Sequence, residues 1–409
     1  MVMIYNDMEI PIAASAACYL RERDMRWVAS ALLASAAVCA LNAPAQAQVK
    51  VGVIVSQTGP AAALGIPQKN SVAQLPKEIG GQKIEYLVLD DATDPTKAVS
   101  NARKLIAENK IDILIGSSAT PASLALVDVA AETTTPYCAM VPTRALVNPM
   151  DDKRKWVFKA PQDDAIMAEA LADHMVANGI KSIGFLGYTD GYGQGWLDEV
   201  EKVMPAKGIK VVAIERFQRS DTSVTAQSLK IVGANPDAVL IAASGTVAVM
   251  PHKTLKEQGF KKQIYQTHGV STMEFVRVGG KDVEGTIFPA GPVVVASLLP
   301  DSHPSKQAGL AYIKSYEENN KTPFAGFGAH VADCGTLMLS GVVPALAKGK
   351  PGTAEFRAAL RESIESSKEV VAAHGVYSFS PSDHAGLDKR SRVVIKVEGG
   401  KWTLLPDPK

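Results

Sequence analysis

From Val49 onward, short β-branched runs alternate with helical patterns almost to the end of the chain, and that alternation constrains the fold most. Residues 49–55 (VKVGVIV), 84–89 and 111–115 read as strands bounded by turn signals. Between the last two, Asp94-Pro95 is an N-cap followed by proline at the first helical position. Val99, Ala102, Leu105 and Ile106 then share one helical face. Thr120-Pro121 repeats the device and opens a helix through Ala131, and 137–141 reads as the next strand. After a polar junction at 159–164 the alternation restarts: helix 165–178, strand 182–186, helix 195–205, strand 210–215, helix 222–232, strand 238–242, helix 246–258, strand 263–267. Helices are expected near 305–319, 328–347 and 353–366, and a closing hairpin over 392–405 turns at Gly399-Gly400. Such a pattern predicts an α/β protein with parallel sheets covered by helices on both faces, in two lobes.

Composition narrows the function. Of 409 residues, 43 are Lys or Arg and 42 Asp or Glu, leaving a formal charge of +1. That balance carries no footprint for non-specific nucleic-acid binding, which needs a clustered basic excess. Four cysteines exclude a disulfide scaffold.

Residues 25–47 have the form of a secretory signal peptide: Arg26, an apolar stretch over 28–41, and Ala45-Gln46-Ala47 as a cleavage signal. The stretch is shorter than the roughly 20 residues of a spanning helix. The acids Asp7, Glu9, Glu22 and Asp24 suit an upstream extension over 1–24 better than a leader. An exported, soluble, periplasmic chain is therefore expected. Cleavage would leave Cys138 and Cys334, for which a disulfide and two buried free thiols both stay open.

Enzyme signatures are absent: there is no G-x-S-x-G elbow, no phosphate loop, no C-x-x-C and no H-E-x-x-H. No metal, cofactor or catalytic residue is expected. His330 and Asp333, at i and i+3, read as hydrogen-bonding within their helix, and His374 and His384 as surface residues. What does stand out is a set of strand ends followed by small or hydroxylated residues, Ser56–Pro60, Gly116–Thr120 and Pro142-Thr143. Ligands of open α/β sheets sit beyond the carboxyl ends of the strands. A helix opening at Thr120 would offer free N–H groups and a positive dipole end to a carboxylate. Equally, Thr120 could serve only as its own helix's cap.

From Val49 to about Leu405 the chain resembles the Leu/Ile/Val-type periplasmic solute-binding proteins of ABC transporters. The resemblance rests on VKVGVIVSQTGPAAALG (49–65), LVLDDATDPTKAVSNARKLI (87–106), ILIGSSATPASLALVDVAAETTTPYCAMVPT (113–143) and GFLGYTDGYGQGW (184–196), in order and spacing. It implies a type I periplasmic binding protein fold, two Rossmann-like lobes joined by three hinge crossovers and closing on a ligand. Lobe one would comprise 48–160 plus 291–376, and lobe two 161–290 plus 377–409. The carboxylate-gripping positions would fall on Thr120 and Thr143 and on the backbone at Ala119 and Val141. Tyr192 would cover the ligand from lobe two, and Ser118 and Phe327 would complete the wall.

Departures from the pattern bear on the ligand. Where amino-acid binders carry an acid for the α-ammonium, this chain has His268; a family tyrosine falls on Ser244, and an aromatic of the first loop on Leu64. The family's small lobe-one disulfide falls on Thr93 and Ala119. Imidazole cannot supply the anion that a buried ammonium requires, but it can donate to a carbonyl, hydroxyl or carboxylate. An aromatic or 2-oxo acid is therefore the expected ligand, and the segment 59–70 resembles the aromatic-acid-binding branch. An amino acid held by Asp190 or Glu274 stays open, as does a sensor of the same fold. The implied partners are an ABC permease and its ATPase, with the binding protein itself a monomer.

Overall fold

The computed structural model describes residues 48–406; the expected upstream extension and leader lie outside them. The first sheet is built from β1 (Val49–Val55), β2 (Glu78–Ile79), β3 (Gln82–Asp90), β4 (Ile113–Gly116), β5 (Tyr137–Ala139) and β6 (Val157–Lys159). Its order is β2-β3-β1-β4-β5-β6, parallel except for the β2–β3 hairpin. Helices α1 (Ala62–Ser71), α2 (Pro95–Ala107) and α3 (Thr120–Glu132) belong with it. α2 starts where expected, its Asp94 cap accepting from the Lys97 N–H at 2.7 Å. Ala98, Ala102 and Leu105 form its buried stripe.

The second sheet takes β7 (Ser182–Tyr188), β8 (Lys210–Phe217), β9 (Ala238–Ala242), β10 (Gln263–Gln266) and β11 (Ile287–Ala290). It is joined by β14 (Val393–Glu398) and β15 (Lys401–Leu405), after a small ribbon of β12 (Val370–Val371) and β13 (Val376–Tyr377). The order is β15-β14-β11-β10-β9-β7-β8. Its helices are α4 (Asp164–Ala177), α5 (Gly191–Ala206), α6 (Thr225–Gly233), α7 (Val249–Glu257) and α8 (Met273–Gly279). The hairpin turns at Gly399 and Gly400, with φ of 60° and 69°, a left-handed pair that glycine adopts without strain. The α/β class, with two mainly parallel sheets, is as the sequence predicts.

Of the helices that follow, α9 (Lys306–Asn320) buries Tyr312 and Tyr316 with the second core, while α10 (Gly326–Ser340) and α12 (Ala354–Glu365) return to the first, with the short α11 (Val342–Leu346) between them. The expected helix over 328–347 is thus broken at Gly341. By length and composition Gly326–Leu346 could cross a membrane, yet Val331, Cys334, Leu337 and Met338 pack inside the first core. Cys138 on β5 and Cys334 on α10 form a disulfide, both sulfurs buried and the Cα atoms 5.8 Å apart. The segment after β11 leans on both cores: Val293 and Val294 pack on the second, while the Tyr312 and Ser71 hydroxyls meet at 2.9 Å. The last crossover comes later than expected. Tyr377 and Phe379 lie in the first core, where the Tyr377 hydroxyl donates to the Ala160 carbonyl at 2.6 Å. Residues 377–391 therefore stay with the first sheet, because this aromatic pair needs that core.

Candidate functional site

The carboxyl ends of β1, β4 and β5 in one lobe meet the loops that follow β7, β8, β9 and β10 in the other, and a narrow cavity lies between them. In lobe one the strand-end loops are locked together. Asp91 accepts from the Ser56 hydroxyl at 2.6 Å and also from Ser117. The Ser118 hydroxyl accepts from the Ser56 N–H at 2.9 Å and donates to Gln68 Oε1 at 2.5 Å. Gly65 makes this possible: a Cβ there would lie 2.0 Å from the Ser56 carbonyl oxygen.

Thr120 is different. Ala119, not Thr120, is the N-cap of α3, and no side chain caps that helix. The Thr120 hydroxyl is buried, has no hydrogen-bond partner among the described residues and lines the cavity. It is not spent on its own helix. An orphan hydroxyl of this kind costs free energy until something accepts from it.

Lobe two contributes Tyr192, Ser244, His268 and Arg219. α5 begins at Gly191, four residues earlier than the pattern predicts, so Tyr192 sits in its first turn. Gly193 lets that turn approach β7 closely, since a Cβ there would lie 1.9 Å from the Tyr188 carbonyl oxygen. The Tyr192 hydroxyl is bound to Thr267 Oγ1 at 2.7 Å, leaving the ring as its contribution to the wall. His268 is 5% exposed, both its ring nitrogens lack partners among the described residues, and the Trp196 ring lies 5.5 Å away. Burial pushes its pKa down to about 3, helped by Lys159 and His374, so it is neutral near pH 7.

Of the expected site residues, Leu64, Ser118, Ala119, Thr120, Val141, Tyr192, Ser244, His268 and Phe327 line one cavity. Thr143 is not among its lining residues; its hydroxyl lies beside Gly195, 3.1 Å from where a Cβ would stand. The cavity also takes Met140, Pro142, Pro161, Gly269, His330 and Arg219, which sequence reasoning missed. Arg219 follows the carboxyl end of β8, a position that the strand-end rule could have flagged. Among the described residues, no aspartate or glutamate lines the cavity. Asp190 caps α5 and binds Arg219 Nε at 2.5 Å. Glu274 is exposed and paired with Arg277.

Two expectations about charged side chains are corrected. His374 and His384 are buried, not on the surface. His374 is held by Asp333 at 3.0 Å, and His384 by the Val157 carbonyl at 2.8 Å and Glu365 at 3.2 Å. Asp333 does not bond within its helix; it accepts from the Ala373 and His374 N–H groups and from the Tyr377 hydroxyl. The His330 and His374 rings lie 4.3 Å apart, tilted by 32°, and with His268 line a smaller space adjoining the cavity.

Asp164 is buried with neither oxygen partnered among the described residues. Burial raises its pKa well above 3.8, against the pull of Lys159. The folded state then holds a proton that the unfolded chain releases, so this group lowers stability as pH rises above about 4. Asp164→Asn is expected to raise the melting midpoint more at pH 8 than at pH 4; an equal rise at both would contradict the assignment.

Known proteins share this fold. A structure of an extracellular ligand-binding receptor from Rhodopseudomonas palustris HaA2 shares 46% identity, with a TM-score of 0.86 over 88% of this chain and 100% of that one. A "Leu/Ile/Val-binding protein homolog 3" of Brucella melitensis is 23% identical, covering 90% of this chain and 96% of its own. At 21% identity and a TM-score of 0.73, an ABC-transporter solute-binding protein of R. palustris, solved in complex with benzoate, shares the fold over 88% of this chain and 95% of its own. The profile described as periplasmic binding protein matches residues 48–401, and the chain belongs to that family.

Proposed function

We propose that this chain is the periplasmic substrate-binding component of an ABC importer, capturing a small carboxylate, an aromatic or 2-oxo acid, between two closing lobes. Relatives that are binding proteins and receptors support a binding role over catalysis. The observation that carries the ligand class is the lining itself: an orphan Thr120 hydroxyl on one wall, neutral His268 on the other and no acid between them. An α-ammonium would be buried there without an anion, at a cost of several kcal/mol. A carboxylate gains a donor hydroxyl and the N-terminal amides of α3. Closure follows from contacts that exist only when both walls touch the ligand. The protein acts as an exported monomer that presents its ligand to a permease and ATPase.

A branched-chain amino acid is the second reading, favoured by the names of the relatives. Against it, the two acids weighed from the sequence are already engaged, Asp190 by Arg219 and Glu274 by Arg277, and neither lines the cavity.

A thermal-shift series with benzoate, phenylpyruvate, leucine and valine separates the two, because a ligand raises the midpoint by mass action. The acids are expected to stabilise; leucine or valine alone doing so would reject the carboxylate reading. Thr120→Val is expected to weaken acid binding about tenfold or more, as loss of a hydrogen bond to a charged group does. It should leave the unliganded protein's midpoint unchanged or slightly raised. Undiminished affinity would remove Thr120 from the site.

A further inference from the structure

Arg219 is a cation in a cavity with no acid on its walls, and its geometry is built. Its Nε donates to Asp190 Oδ2 at 2.5 Å, its Nη1 to Ser244 Oγ at 3.0 Å, and its guanidinium carbon sits 4.1 Å from the centre of the Tyr188 ring. The side chain is 14% exposed, and Nη2 has no hydrogen-bond partner among the described residues. Asp190 also accepts from the Tyr192 and Gly193 N–H groups at 2.9 and 3.4 Å, so it only partly balances the guanidinium. A planar guanidinium held at Nε and Nη1 and set over an aromatic face is poised to take an oxygen anion at Nη2.

Thr120 faces the same cavity from the other lobe, where the two lobes come close. A Cβ on Gly191, next to Asp190, would lie 3.4 Å from Thr120 Cγ2. We infer that Arg219 is the lobe-two partner of the ligand's carboxylate, so that the acid group itself bridges the lobes and closure requires a formal negative charge. This rests on the carboxylate reading and deepens it. It also gives a second reason against amino acids, since an α-ammonium at this end would face a guanidinium.

The test compares benzoate and phenylpyruvate with their primary amides by calorimetry, in the wild-type chain and in Arg219→Gln. The preference for acid over amide is expected to fall about thirtyfold or more in the variant. If Arg219 only supports the wall, acid and amide weaken by one common factor; an unchanged preference of that kind overturns the inference while leaving the carboxylate reading intact. If neither acid binds the wild-type chain, the carboxylate reading itself fails and takes the inference with it. A measurement on the wild-type chain covers the case in which Arg219→Gln does not fold. Small-angle scattering should show compaction with the acid and none with the amide at saturation, and equal compaction overturns the inference.

Discussion

His268→Glu is expected to lower affinity for an aromatic or 2-oxo acid about a hundredfold. The imidazole is neutral because burial holds its pKa near 3, and it sits against Trp196 with both nitrogens unpartnered among the described residues. A carboxylate in its place faces the ligand's own carboxylate in a buried space and competes with it for the Arg219 guanidinium on the same wall, and like charges confined together cost several kcal/mol. His268→Gln keeps a neutral donor and is expected to lose no more than about tenfold. The same glutamate supplies the anion that an amino acid's ammonium lacks in the native site, so leucine should begin to raise the variant's melting midpoint. Titration calorimetry of the three proteins with benzoate, phenylpyruvate and leucine reads both effects. Native acid affinity in His268→Glu would place the imidazole outside the ligand's reach.

Removing the Cys138–Cys334 bond is the second large effect. The bond spans 196 residues of sequence, and restricting so long a loop in the unfolded chain corresponds to about 5 kcal/mol in the chain-entropy account. The double replacement of both cysteines by alanine is expected to unfold at clearly lower urea, with a steeper slope because the released unfolded chain is more expanded. Dithiothreitol treatment of the wild type should move the midpoint the same way. The bond ties β5, which leads into Met140 and Val141, to α10, which carries Phe327 and His330. Both are cavity walls, so ligand affinity should weaken with it. Equal urea midpoints with and without the bond would show that it adds nothing to stability.

Most of the architecture was legible because its signals are local. Asp94-Pro95 caps and starts a helix whatever lies around it, and Gly399-Gly400 turns a hairpin by its own dihedral preference. The parts that were not legible depend on partners far along the chain. His374 and His384 are polar letters that a local reading puts at the surface. Asp333, 41 residues away from His374, and the Val157 carbonyl, 227 residues away from His384, take them into the interior. The disulfide needed a distance that no spacing reveals. Arg219 was missed for a different reason: β8 runs two residues past the expected end, to Phe217, so the polar run that follows looked like a connector instead of a strand-end loop. At the cavity, hydroxyls and aromatics could be placed by motif, whereas whether a hydroxyl is spent or free could be read only from its neighbours. Ser118 and Thr120, two residues apart, fall on opposite sides of that line.

The order in which the chain is made gives the hairpin of β14 and β15 another meaning. β11 is complete at Ala290, but its antiparallel neighbour begins only at Val393. The intervening hundred or so residues belong largely to the opposite lobe. That lobe is no better off, because its core waits for α10, Tyr377 and Phe379. A chain growing from its amino end therefore cannot finish one half and then the other. The first core closes only once Phe379 has been made and the second only with the final strands, and until then the buried, apolar Ile287–Ala290 keeps an open edge. Such a chain stays unfolded late, the condition in which a polypeptide can still be threaded through a narrow pore.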